Sequence, residues 1–278
     1  MSDKSADNKS GPSGSLLIIG GNEDKTAECL VLRKFIEMAG GRDSRIVVIA
    51  TATGQPRAVG SEYQEIFSSL GAYEVTIMAM ANREIANQSR QAEFIKDASG
   101  IFFTGGDQLR LTSILGGSAV DAAIRIAFAK GAVVAGTSAG AAVMSETMII
   151  GGNSKDAPKK SSLSMAHGMG FLSEVVIDQH FAQRGRMNRL LAAVAQNPHV
   201  LGVGIDEDTA LIVGPDRRCE VIGSQTVTII DGKNIIYSNI SESNPGQPLA
   251  ISNLLLHILP AGFAFDLNIR LPIQLDNH

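Results

Sequence analysis

The stretch VVAGTSAGAAVM, residues 133 to 144, decides the fold. An apolar run, Val133 to Ala135, meets Gly136, Thr137, Ser138, Ala139 and Gly140 and then turns apolar again. A continuous apolar run bounded by small turn residues reads as a strand buried on both faces, the kind found in parallel sheets. The segment after Ser138 reads as a helix. Strand, G-x-S-x-G turn and helix together form the arrangement that exposes a serine hydroxyl at the end of a sheet. A second reading stays open on these residues alone: the glycines pack closely and the serine caps the helix that follows.

The same pattern continues upstream. SLLIIGG (15–21), RIVVIATATG (45–54), YEVTIMAM (73–80) and GIFFTGG (100–106) read as buried strands. Between them, residues 24–39, 59–70, a polar segment ending near Lys96, and 107–130 read as helices, the last broken around Gly116 and Gly117. Strands alternating with helices predict an α/β protein with a parallel sheet covered on both faces, which binds ligands at the carboxyl ends of its strands. Downstream, residues 151–170 (GGNSKDAPKKSSLSMAHGMG) read as a long glycine- and serine-rich loop. VVIDQHF (175–181) resumes a strand and RMNRLLAAVAQ (186–196) a helix. From 200 to 240, short strands with turns at Gly214-Pro215 and Asp231-Gly232 predict an antiparallel β extension. With no repeat of fixed period and no linker, residues 15–278 are expected to form one domain.

Composition narrows the function classes. The chain has 278 residues, 44% hydrophobic and 19% charged, with a formal net charge of −4. That balance gives no field favouring nucleic acid or an anionic membrane. No apolar stretch reaches the length of a membrane span. Residues 1–14 are polar, lack the apolar core of a secretion signal, and are expected to be a disordered tail. The two cysteines, Cys29 and Cys219, lie far apart without CxxC spacing. A disulfide scaffold or metal site is not expected, and a reducing cytoplasm fits.

A nucleophilic Ser138 needs a base. The sequence has five histidines. His278 is terminal, His199 sits in a turn-like NPHV, and His257 lies in an apolar run as a satisfied core histidine would. His167 falls in the glycine-serine loop. His180 ends a predicted strand at the sheet edge where Ser138 also lies, which favours it. A third group should orient the imidazole. Asp156 in the loop, Asp178, and the trio Asp206, Glu207 and Asp208 are the candidates. Asp178 falls on the opposite strand face from His180, and spacing does not choose among the others. Oxyanion donors are expected from the Ala139 amide and from Gly105 and Gly106, with Asp107 as N-cap of the next helix. Arg184, Arg186 and Arg189 cluster at a helix start. A solvated helix start is the ordinary explanation, yet arginines there oppose the helix dipole and could instead clamp carboxylates.

Taken together, GTSAGAAVM (136–144), TGGDQLRL (104–111), DQHF with RGRMNRLL (178–191), GIDEDTA (204–210) and IIGGNEDK (18–25) resemble the cyanophycinases of peptidase family S51. The resemblance runs from about residue 15 to at least 255, in the same order. More distantly the chain is similar to the peptidase E aspartyl dipeptidases. It implies a class I glutamine amidotransferase-like (flavodoxin-like) α/β fold, with a serine where the amidotransferases carry a cysteine. It implies hydrolysis of cyanophycin, a poly-aspartate backbone with arginine amide-linked to each β-carboxyl, to β-Asp-Arg dipeptides. No cofactor or metal is implied; a homodimer is. The resemblance makes Ser138 the nucleophile, His180 the base and Asp156 the third member, with Glu207 as fallback. Gln108, Asp178, Gln179, Arg184, Arg186 and Arg189 correspond to the substrate pocket, the arginines suiting carboxylates and Asp178 and the acidic trio suiting guanidinium groups. Two other functions compete: an aspartyl dipeptidase acting on Asp-X peptides, and a non-catalytic module whose glycine turns cradle a phosphate. The second lacks GxGxxG after its first strand and a P-loop lysine.

Overall fold

A computed structural model describes residues 14–152, 154 and 156–273. The expected 1–14 tail except Gly14, which packs buried against Phe128 and Ala132, lies outside the described residues, as does His278. Five strands form the parallel heart: β1 (Leu16–Ile19), β2 (Arg45–Ile49), β3 (Glu74–Met78), β4 (Gly100–Phe103) and β5 (Val133–Thr137). Their spatial order is β1-β5-β4-β2-β3, all parallel. Beyond β1 the sheet continues antiparallel through Thr209–Val213, Arg218–Gly223, Ala264–Asp266 and Leu271–Ile273, making nine strands. β1, β4 and β5 are buried throughout, which is why they read as unbroken apolar runs.

Helices Leu30–Met38 and Pro56–Ser69 cover one face. There Phe35, Tyr63, Phe67 and Phe102 stack with ring centroids 4.7–5.7 Å apart. The first of these helices is shorter than the expected 24–39. The Asp24 carboxylate accepts the N–H groups of Thr26, Ala27 and Cys29, holding residues 24–29 as a turn ahead of the helix. The other face packs on helix Ala119–Ala129 and on a second sheet of four strands, Leu255–Pro260, Thr226–Asp231, Leu201–Ile205 and Val175–Gln179. The break at Gly116–Gly117 separates helices Gln108–Leu115 and Ala119–Ala129, capped by Asp107 and Ser118 as their side-chain chemistry favours.

Two readings change. Residues 151–170 are not all loop: Leu163–His167 pairs antiparallel with Thr147–Gly152, with a bulge between Ile149 and Gly151. The glycines and serines hid this hairpin by weakening its apolar alternation. Within 200–240, Leu201–Ile205 pairs antiparallel with Thr226–Asp231 but parallel with Val175–Gln179. That parallel pairing, with Gln179 opposite Ile205, brings residues 180 and 206–208 to one sheet end.

Candidate active site

Ser138 leaves β5 with φ 54° and ψ −112°. A non-glycine residue in such a region costs on the order of 1–3 kcal/mol and persists only where its surroundings hold it. The helix beyond is a single turn, Ala139–Ala142. A Cβ at Gly136 would overlap the Gly140 carbonyl, and one at Gly140 would overlap the Phe103 carbonyl. The glycines therefore let the turn sit against β4, while the serine side chain makes no cap hydrogen bond. The glycines pack, and the hydroxyl faces elsewhere.

It faces His180. Ser138 Oγ lies 3.0 Å from His180 Nε2, and His180 Nδ1 lies 2.6 Å from Glu207 Oε1. A carboxylate on Nδ1 holds the proton there, leaving Nε2 as an acceptor for the serine O–H. His180 follows strand Val175–Gln179 at φ 47°, with its N–H donated to the Gly20 carbonyl at 2.8 Å. Its ring presses on Gly21, where any Cβ would overlap it. Burial pushes the imidazole below its ordinary pKa, opposed by the Glu207 hydrogen bond and reinforced by the charge of Arg184. The hydrogen bond from His180, and a further one from Asn22 Nδ2 at 2.9 Å, hold the Glu207 carboxyl below its ordinary value.

Glu207 thus occupies the place expected for Asp156. Asp156 lies in the hairpin loop, where its carboxylate pairs with Lys159 at 3.3 Å and its carbonyl accepts from Asn188. The flanking acids of the trio are engaged in structure. Asp206 accepts from the Ala182 and Thr226 amides and the Thr226 hydroxyl; Asp208 accepts from the Asp24 amide. The parallel pairing of VVIDQ with LGVGI is the signal that would have selected Glu207.

The arginine cluster also differs from expectation. Asp178 is 1% exposed, and its carboxylate is gripped by Arg189 (Nε 2.6 Å, and Nη2) and by Arg186 at 3.1 Å. Arg186 also donates to the Gln179 carbonyl at 2.5 Å and to its side-chain oxygen at 2.9 Å. Burial lowers the Arg186 pKa to about 10. Asp178 is therefore committed to the protein's own guanidinium groups and is not a receptor for a ligand's. Of the three arginines only Arg184 is exposed, and Gln108 ties its helix to the hairpin by donating to the Ile149 carbonyl at 2.9 Å. The other histidines lie elsewhere: His199 pairs with Glu174 at 3.4 Å, and His257 packs edge-on against Phe265 with Nε2 unsatisfied.

A cleft of about 620 Å³ opens on Ser138, lined by Asn22, Glu23, Lys25, Glu62, Tyr63 and Gly105 among others. Gly105 stands against the Ser138 side chain, and Gly106 follows at φ 144°. The Ala139 N–H is the first of its helical turn, a position with no intrahelical acceptor. Burial and the charge of Glu23 hold the Tyr63 phenol far above its ordinary pKa, so it donates to that carboxylate. A second cavity of about 610 Å³, between Arg125 and Arg217, lies at the opposite, amino end of β1 and holds none of these groups. Among the described residues no three His, Cys, Asp or Glu side chains converge as a metal site needs.

A strained serine at a strand end, linked through an imidazole to a carboxylate, is the geometry of a serine-type hydrolase. The model of peptidase family S51 matches residues 16–221. A cyanophycinase of Geminocystis herdmanii is 41% identical over 260 residues, covering 93% of this chain and 96% of that one. Another, from Trichormus variabilis, is 42% identical over 254 residues, covering 91% and 85%. Among solved structures, a peptidase from an acI-B1 Actinobacterium superposes with a TM-score of 0.68 at 23% identity, covering 92% of this chain and 98% of that one. A putative peptidase E protein of Listeria monocytogenes does so at 0.52 and 18%, covering 76% and 98%. The chain belongs to peptidase family S51.

Proposed function

We propose that the protein is a serine-type peptidase that hydrolyses the poly-aspartate backbone of cyanophycin to β-Asp-Arg dipeptides. The observation that carries this reading is the Ser138–His180–Glu207 chain, at 3.0 and 2.6 Å, in a family S51 chain about 40% identical to cyanophycinases. Neutral His180 takes the proton of Ser138 as the hydroxyl oxygen attacks an aspartyl carbonyl. Glu207 holds the resulting imidazolium. The Ala139 amide and the Gly105–Gly106 segment receive the oxyanion. His180 then protonates the leaving amine, and water, activated by the same imidazole, releases the acyl group and restores Ser138.

The electrostatics suit a zwitterionic polymer. Two buried guanidinium groups against the single carboxylate of Asp178 leave one positive charge in excess beside exposed Arg184, which favours substrate carboxylates. The rim of the cleft carries the Lys25–Glu62 ion pair, whose two signs suit a zwitterionic side chain. Gln108, bonded to the Ile149 carbonyl, and Gln179, bonded to Arg186, are read as contacts for the substrate.

The protein is further read as a homodimer of single-domain chains in the cytoplasm. Exposed Leu256, Ile258, Phe263, Ile269 and Leu271, on or beside the edge strands, support pairing of two copies. The buried free thiols of Cys29 and Cys219 support a reducing compartment. Among the described residues no single helix is long and apolar enough to cross a membrane.

Mass spectrometry of products from purified cyanophycin tests the activity. β-Asp-Arg from the wild type and none from Ser138→Ala is the expected result. Cleavage of Asp-Leu with cyanophycin left intact would move the assignment to an aspartyl dipeptidase. Turnover by Ser138→Ala at the wild-type rate would end the serine mechanism.

A further inference from the structure

One carboxylate beside Ser138 has no part in that chemistry. Glu23 is 4% exposed. Its Oε2 accepts from the Thr137 hydroxyl at 2.6 Å and its Oε1 from the Tyr63 hydroxyl. Both bonds come from neutral hydroxyls rather than from a cation. Burying a carboxylate on such terms is costly, and an apolar side chain would pack the same space at less expense. The carboxylate is therefore retained for something other than packing.

Thr137 is the residue immediately before the strained Ser138. On its far side the Ser138 backbone is held by the amides of Ala141 and Ala142, which donate to its carbonyl at 3.0 and 3.1 Å. The Ser138 N–H donates to Ile19 at 3.1 Å. On the near side, the Thr137 side chain is tied to Glu23. A carboxylate only accepts, so both hydroxyls must turn their hydrogens toward it, and the Thr137 rotamer is fixed with them.

Glu23 belongs to a loop, Gly20 to Asp24, that touches His180 and Glu207 directly and reaches Ser138 through Thr137. The Gly20 carbonyl takes the His180 N–H, Gly21 lies flush with the imidazole, Asn22 donates to Glu207, and Glu23 holds Thr137. We infer that Glu23 is a positioning residue for Ser138: acting through Thr137, it fixes the backbone from which the nucleophile projects, so that this one loop spaces nucleophile, base and acid. The inference rests on Ser138 being the nucleophile.

Thr137→Val and Glu23→Gln, singly and combined, test it. Valine keeps the shape of threonine and removes the hydroxyl; glutamine keeps the shape of glutamate and presents a donor to one of the two hydroxyls. Two rates are measured: labelling of Ser138 by a fluorophosphonate, which needs no substrate, and turnover of cyanophycin. The expected result is a fall of about 10- to 100-fold in labelling rate and kcat for each single variant, the cost of a nucleophile displaced by a fraction of an ångström. KM should stay within about twofold. The double variant should be no slower than the worse single one, because the two groups act as one unit. A folded Thr137→Val with wild-type labelling overturns the inference, as do effects that multiply in the double variant, or a raised KM at unchanged kcat. If Glu23→Gln fails to fold, Thr137→Val decides alone. A wild-type protein that resists labelling would instead overturn the nucleophile assignment itself.

Discussion

Two carboxylates, Glu207 and Asp178, sit close to His180, and they do opposite things. Glu207 is part-exposed at a turn, with one oxygen on the imidazole and the other on Asn22. Asp178, two residues before His180, is sealed from solvent between Arg186 and Arg189. The first is coupled to a group that gains and loses a proton near neutral pH. The second is coupled to groups that keep their protons throughout. Burial and partner separate a carboxylate bonded to an ionisable imidazole from one locked between guanidinium groups. The backbone marks the same division: Asn22, Ser138, His180 and Asp208, all around the Ser138–His180–Glu207 chain, have positive φ, whereas Asp178 lies in a regular strand.

That contrast can be broken most sharply at Glu207. Glu207→Gln keeps the shape and removes the charge that holds the imidazole's tautomer. Turnover of cyanophycin is expected to fall by about 10²- to 10⁴-fold with the melting temperature little changed. Asp178→Asn should do the reverse in kind. It leaves two buried guanidinium groups facing one another, and loss of about 3–5 kcal/mol of stability is expected in urea unfolding. A Glu207→Gln that melts early, or an Asp178→Asn of wild-type stability, would erase the distinction.

A smaller effect concerns pH. In the proposed mechanism attack requires neutral His180, and burial pushes its pKa down from the ordinary 6.5. The acid limb of kcat/KM should therefore have its midpoint below pH 6.5. Glu207 raises that pKa, so in Glu207→Gln the midpoint of the residual activity should move lower still. The smallest effect is expected at Asp156. Its carboxylate pairs with Lys159 at an exposed site, so Asp156→Asn should change kcat by less than about fivefold. A collapse of activity there would return Asp156 to the catalytic chain.

The parallel heart was legible because strands buried on both faces are apolar without interruption, as LLII, GIFF and VVAGT are. Ser138 was legible because its turn must be built from small residues. His180 was legible because it ends a strand. The carboxylate on His180 Nδ1 was not. Choosing Glu207 over Asp156 required knowing that Leu201–Ile205 runs parallel to Val175–Gln179, and nothing in a short strand's composition states its direction. The positions of Asn22 and Glu23 were hidden for a related reason: Glu207 and Thr137, which they meet at the site, lie more than a hundred residues away, and a loop's polar side chains look alike until such partners are placed.

Ser138 springs from the nine-stranded sheet and His180 from the four-stranded one, while Glu207 lies on the short link by which the chain crosses between them. The reacting distance is thus a measure of how two separately hydrogen-bonded layers are aligned. A change that shifts one layer against the other by about an ångström parts hydroxyl from imidazole, so it should silence the enzyme while its circular dichroism still looks native.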